Sequence, residues 1–174
     1  AVLLTLPPTA AEANAAVPAV GTPKVLVVRR VEIPEYLQTR RVRYRTQAST
    51  LAEWPDALWA ERLEVGLTRE LAGALRNALP GWTICEASCP ESAPELSLSL
   101  QLRPFDFVRP RGELQAEARW VIAALQPTPH VVESDRHRHA VGADADTPQA
   151  HAQAISELLQ ALARRVADRV RAEP

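Results

Sequence analysis

The stretch WPDALWAERLEVGLTRELAGALRNALPG, residues 54–81, decides how the rest of the chain is read. Leu63, Leu67, Leu71, Leu75 and Leu79 recur every four residues, with Ala74 and Ala78 between them. That spacing lays one apolar stripe along a cylinder, so the stretch predicts a long helix. Asp56, after Pro55, is the expected N-cap, because its carboxylate can accept from the free amides of a first turn. Pro80 and Gly81 end the helix. Twenty-odd residues at about 1.5 Å each give a rod of roughly 33 Å. Each buried leucine contributes roughly 1.5–3 kcal/mol before chain entropy is subtracted, which makes this rod the largest source of core in the chain. Trp54 and Trp59 at its start read as core anchors.

Outward from the rod, strands come first. Residues 1–6, AVLLTL, read as a short strand, and the Ala/Pro-rich residues 7–23 as a surface connection. Residues 24–33, KVLVVRRVEI, are apolar on both faces around Val25, Leu26, Val27 and Val28, as in a central strand, and Pro34 ends it. Residues 40–46, RRVRYRT, alternate, with Val42 and Tyr44 on one face and Arg41, Arg43 and Arg45 on the other.

After the rod, residues 82–85 suit a short strand. Leu96, Leu98, Leu100 and Leu102 alternate with polar residues, and Phe105 and Phe107 continue in the opposite phase. Pro104 sits at the flip and predicts a bulge. Residues 109–112, RPRG, make a turn, and Leu114, Ala116, Ala118, Trp120, Ile122 and Ala124 mark a return strand. Residues 130–141 are polar on both faces and read as an edge strand. Thr147 and Pro148 open a second helix whose inward stripe is Ile155, Leu159, Leu162, Val166 and Val170. The fold expected is one two-layer α+β domain over residues 1–174. Its sheet is mainly antiparallel, with about five to seven strands packed by two long helices.

The composition bounds the function. With 174 residues, 47% hydrophobic, the chain can bury a real core. A net charge of −1 and 5% aromatic residues give no field or stacking platform for nucleic acid. No apolar run approaches the ~18 residues of a membrane span. The absence of methionine suits a chain that starts inside a longer precursor, as after removal of a secretion signal. With only 6 glycines there is no phosphate-cradling loop, and neither a G-x-S-x-G nor an H-E-x-x-H pattern occurs.

Four constellations remain. Cys85 and Cys89 suit a disulfide, two free thiols or half of a metal site. A disulfide closing so tight a loop gives roughly 2 kcal/mol in the chain-entropy model, and no second Cys/His pair is spaced to complete a metal site. Asp135, His137 and His139 alternate on one strand face, as ligands or acid/base groups would, or as charges that blunt an edge. Arg29, Arg30, Arg40, Arg41, Arg43 and Arg45 form a basic cluster, either a solvated face or a receptor for an acidic partner surface or lipid headgroups. Arg62, Gly66, Arg69, Gly73 and Arg76 share one face of the rod. Helix glycines cost about 1 kcal/mol each relative to alanine, so two on one face suggest either that something packs closely there, a strand of this chain or another subunit, or a tolerated solvent face.

The order of segments resembles the PqiC-like (YmbA-like) ABC-transport auxiliary lipoproteins. VEIPEYL (residues 31–37), RVRYR (41–45), WAERL (59–63) and LTRELAGAL (67–75) carry the resemblance, with LLTLPP (3–8) as the first strand. It covers nearly the whole chain. It implies a non-enzymatic lipoprotein on the periplasmic side of a Gram-negative outer membrane, with no cofactor and no metal. Its implied partner is an MCE-domain subunit that moves lipids between the two membranes. The lipidated cysteine of the family precedes the first strand and is absent from this sequence. Tyr36, Leu37, Arg41, Arg43, Arg45, Arg62 and Arg69 are the candidate partner contacts, and a homo-oligomer fits a small subunit around a symmetric partner. The other readings are a lipid carrier with an internal pocket and a metal-dependent enzyme using Asp135, His137 and His139.

Overall fold

The computed structural model describes residues 1–10 and 24–172. Most of the connection expected at 7–23 lies outside the described residues. The elements in chain order are β1 (Val2–Leu4), β2 (Val25–Val28), a 3-10 turn (Glu35–Leu37), β3 (Arg41–Gln47), β4 (Thr50–Trp59), α1 (Leu63–Ala78), β5 (Thr83–Glu86), β6 (Leu96–Val108), a 3-10 turn (Arg109–Arg111), β7 (Glu113–Ala124), β8 (His130–Gly142) and α2 (Pro148–Arg171). The fold is α+β, with eight strands in one mixed sheet and two helices.

The sheet is mixed: its three longest pairings are antiparallel, as expected, and shorter parallel pairings join them. Pairs β3–β4, β6–β7 and β7–β8 are antiparallel, whereas β1–β4, β2–β5, β2–β6 and β3–β6 are parallel. The long β6 organises the layer. One of its edges carries β7, with β8 beyond; the other carries β2 beside Leu96, Ser97 and Leu98 and β3 beside Val108. The sheet therefore forks, into β2–β5 and into β3–β4–β1. Local hairpins were readable from turns and alternation. The parallel pairs join segments far apart in sequence, for which alternation gives no register.

The long rod is also corrected. Residues 54–59 belong to β4, and α1 starts at Leu63, so the helix spans 16 residues, about 24 Å. Asp56 caps nothing. It has φ 57° within the irregular part of β4, where Arg41 pairs with Leu58 but Arg43 with Glu53. The signal against helix was Trp54 before Pro55, because a residue preceding proline is driven out of the α region. The residue at the N-cap is Arg62, which makes no side-chain capping bond. The leucine stripe itself is as read: Leu63, Leu67, Leu71, Leu75 and Leu79 are all buried.

Helix α2 begins as expected, with Thr147 Oγ1 accepting from the Ala150 amide at 3.1 Å. Its inward residues Ile155, Leu159, Leu162, Val166 and Val170 are buried, and α2 touches α1, β7 and β8. In β6 the apolar phase flips at Pro104 through a register shift between Leu102 and Phe105. One sheet face thus carries Leu98, Leu100, Leu102, Phe105, Phe107, Trp120 and Ile122 into a single core under both helices. The opposite face carries the polar residues of the same strands.

Candidate functional site

Val42 and Tyr44 are buried, so strand alternation turns Arg43 and Arg45 to the outer sheet face. There they enter a network. Arg45 Nη2 lies 3.3 Å from Asp106 Oδ1, and the Tyr36 hydroxyl donates to the same oxygen at 2.9 Å. The Arg45 guanidinium also stands 5.3 Å from the Tyr36 ring centroid. Arg43 Nε pairs with Glu53 Oε2 at 3.1 Å, and its Nη1 donates to the Tyr36 carbonyl at 2.8 Å. Burial lifts the Tyr36 pKa above the ordinary phenol value, and the Asp106 carboxylate reinforces it, so the hydroxyl stays a neutral donor. Burial opposes the Arg45 charge, but Asp106 and Tyr36 outweigh it and leave the pKa raised. The result is a pre-ordered surface whose guanidinium groups are held in place before any partner arrives, which lowers the ordering cost of binding.

The remaining predicted contacts do not join this surface. Leu37 is buried in the core and pins the 3-10 turn that carries Tyr36. Arg41 is exposed on β3. Arg40 is structural, donating to the Trp59 carbonyl at 3.0 Å and to the Ala60 carbonyl at 2.9 Å. Arg62 and Arg69 lie on α1, in the helix layer. Arg62 pairs with Glu64 at 3.5 Å, and Arg69 with Glu61 at 2.6 Å and Glu70 at 3.6 Å.

The chain's own N-terminal segment packs closely at Gly73, where an added Cβ would lie 3.2 Å from Thr9 Cβ; at Gly66 the near neighbour is the Glu61 carboxylate, 3.2 Å from an added Cβ, with Leu6 Cδ1 at an ordinary 3.6 Å. The Thr9 amide donates to Glu70 Oε1 at 3.1 Å, and Asn77 Nδ2 donates to the Ala10 carbonyl at 2.8 Å. Residues 6–10 are thereby strapped along α1.

Asp135, His137 and His139 share the inner side of β8 but do not converge. Asp135 Oδ2 accepts from Arg165 Nε at 2.8 Å, and this bond holds its pKa below the usual carboxylate value. Trp120 Nε1 donates to His137 Nε2 at 3.2 Å, and the other ring nitrogen of His137 meets His139 Nε2. Burial pushes His137 down to about 4, with Arg165 adding to it, and lowers His139 as well. Among the described residues no three His, Cys, Asp or Glu groups are placed to hold a metal ion. Cys85, in β5, and Cys89 are joined by a disulfide, with Cα atoms 5.2 Å apart. Val27, paired in register with Cys85, is buried there although it lies outside the main core.

Two features gave no sign in the sequence. Arg109 stacks 4.0 Å from the Trp54 ring centroid and 4.9 Å from that of Tyr44. It donates to the Tyr44 hydroxyl at 2.8 Å and holds Asp146 in a two-bond fork of 2.8 and 3.1 Å. His151, near the start of α2, is buried against Phe107 and lines a cavity with Leu37, Trp59, Leu63 and Phe105, with Arg41 and Arg43 among the other lining residues. The cavity has room for no more than about one water molecule.

Sequence comparison gives the family. The model of the ABC-type transport auxiliary lipoprotein component matches residues 4–167, so the chain belongs to that family, the PqiC/YmbA-like proteins. The family is a transport auxiliary component, not an enzyme family. No curated protein matches the sequence. Among solved structures, the crystal structure of an uncharacterised protein is similar at TM-score 0.77 and 18% identity, covering 97% of each chain. A DUF330-family protein from Xanthomonas campestris is similar at 0.69 and 16%, covering 90% of each. A hypothetical protein from Chlamydia trachomatis is similar at 0.52 and 12%, covering 86% of this chain and 96% of that one. At such identities these likenesses show the fold.

Proposed function

We propose that the chain is the accessory lipoprotein of an MCE-type intermembrane lipid-transport system. In this reading it is held on the periplasmic side of the outer membrane by an N-terminal lipid and docks an MCE-domain subunit through the outer face of β3. The family match over residues 4–167 carries the reading. The Tyr36/Arg43/Arg45/Asp106 network supplies the docking surface, with Arg41 exposed beside it. No helix of the described residues is long and apolar enough to cross a membrane, which suits attachment through a lipid.

The second reading is a lipid carrier; the cavity beside His151, with room for about one water molecule, is too small to be its acyl-chain site. The test is co-purification of the tagged chain from detergent-solubilised membranes. The MCE-domain subunit is expected to co-elute with the wild-type chain and to be depleted with Arg45→Glu. Unchanged co-elution from a folded Arg45→Glu chain removes the β3 surface from the proposal. Native mass spectrometry of the same eluate is expected to show the chain free of lipid, and stoichiometric lipid on it turns the reading to the carrier.

A further inference from the structure

We propose that the free edge of β8 takes up an extended, acidic segment of another protein as an additional strand. Among the described residues β8 pairs with β7 and with no other strand. Thirteen residues make an edge of roughly 44 Å, with a row of backbone N–H and C=O groups facing away from β7. Edges are commonly blunted by proline, charged side chains or bulges. β8 has a register shift where it pairs with Ile122 and Ala123, but from 133 to 142 it has no proline and keeps unbroken register with β7, so its charges and not its shape decide which strand can add.

The charge beside this edge is one-sided. On the outer face Arg136 Nε lies 3.0 Å and Arg138 Nε 3.7 Å from the same Glu117 oxygen, and Arg119 adds its field to that carboxylate. Three cations meet one anion, and the Arg138 side chain is 86% exposed. On the inner face Glu133 and Asp135 are already paired with Arg169 and Arg165 of α2, so they offset none of this excess. Arg136 and Arg138 are two residues apart on one face, so the complement is a strand with carboxylates at alternate positions.

The same facts disfavour other occupants. A second copy of this chain pairing β8 with β8 about positions 136–138 brings arginine opposite arginine on the outer face. A lipid surface leaves the row of backbone groups unsatisfied. This edge lies across β6 and β7 from the β3 surface, so it does not depend on the docking proposed there.

The test uses the full chain and fluorescent synthetic peptides of about ten residues that alternate glutamate with threonine, beside twins with lysine for glutamate. Anisotropy is expected to show the acidic peptide binding at least about tenfold more tightly than its twin. Arg138→Glu is expected to abolish that preference, and Arg138→Gln to reduce it without introducing repulsion. Amide exchange is expected to slow at residues 133–141 when the acidic peptide is present. Equal binding of both peptides, or protection elsewhere, overturns the proposal. So does concentration-dependent mass doubling with β8 protected in the absence of peptide, which would assign the edge to a second copy. Binding of phosphatidylglycerol vesicles that protects β8 while the peptides do not bind overturns it as well.

Discussion

His151 is the residue whose chemistry is least like that of its surroundings. Its ring stacks on Phe107 at 4.5 Å and meets the Trp59 edge at 6.1 Å, and its Nδ1 has no partner among the described residues. Burial pushes its pKa down to about 3, against about 6.5 in an unfolded chain. Between these values the unfolded chain binds more protons, so stability falls as pH falls from about 7 towards 3. A shift of that size makes the acid loss on the order of 4 kcal/mol. His137 and Asp135 act in the same direction, the first as a buried base and the second as a paired carboxylate. His151→Phe is expected to keep neutral-pH stability and to flatten the acid limb in urea titrations run at several pH values. An unchanged slope would mean that the ring is not held neutral by burial. Arg109 offers a second test. Arg109→Ala is expected to lower the melting temperature and alter Trp54 fluorescence, and Arg109→Lys to restore little, since an ammonium cannot both stack and fork. Full recovery with lysine would reduce the stack to simple charge. At this scale the sequence was silent: composition does not show that Arg109 will meet Trp54, because the two are brought together only by the pairing of β3 with β4 and β6.

Among the elements, α1 and its strap show how a local pattern reads in part. The leucine stripe fixed which helix face is buried, and two glycines on one face left open whether a neighbour or solvent covers them. That the chain's own Thr9 packs closely on Gly73 was not legible, because an irregular segment has no periodicity to follow. Gly73 separates two effects. Alanine there gains about 1 kcal/mol of helix propensity but meets Thr9 Cβ at 3.2 Å, so Gly73→Ala is expected to be near neutral. Gly73→Leu cannot be accommodated and is expected to cost about 1–3 kcal/mol. It should also release residues 6–10 to early proteolysis. A leucine variant as stable and as resistant as wild type would show that the strap does not press on α1. The β4 misreading has a different cause: Trp59 continues the four-residue spacing one step back from Leu63, and only the constraint on Trp54 before Pro55 marks the break.

For the whole molecule, two layers and two helices followed from alternation and the two stripes, whereas the forked sheet did not. The fork matters because one branch sets β3 beside the end of β6, which brings Arg45 to Asp106. The arginines of the network leave β3 on the side away from buried Val42 and Tyr44, so the surface proposed to dock a partner is backed by the core. The arginine alternation was visible in RVRYR. Its ordering by Asp106 was not, since Asp106 lies 61 residues from Arg45 and 70 from Tyr36.

The central claim is that this face binds another protein and does no chemistry. It is tested most directly by calorimetric titration of the purified chain with the periplasmic part of an MCE-domain subunit. Wild type is expected to give saturable binding, and Arg43→Glu to weaken it. The Arg43→Glu/Glu53→Arg pair, which restores the ion pair reversed, is expected to recover stability but not affinity. Undiminished affinity in both folded variants would contradict the account.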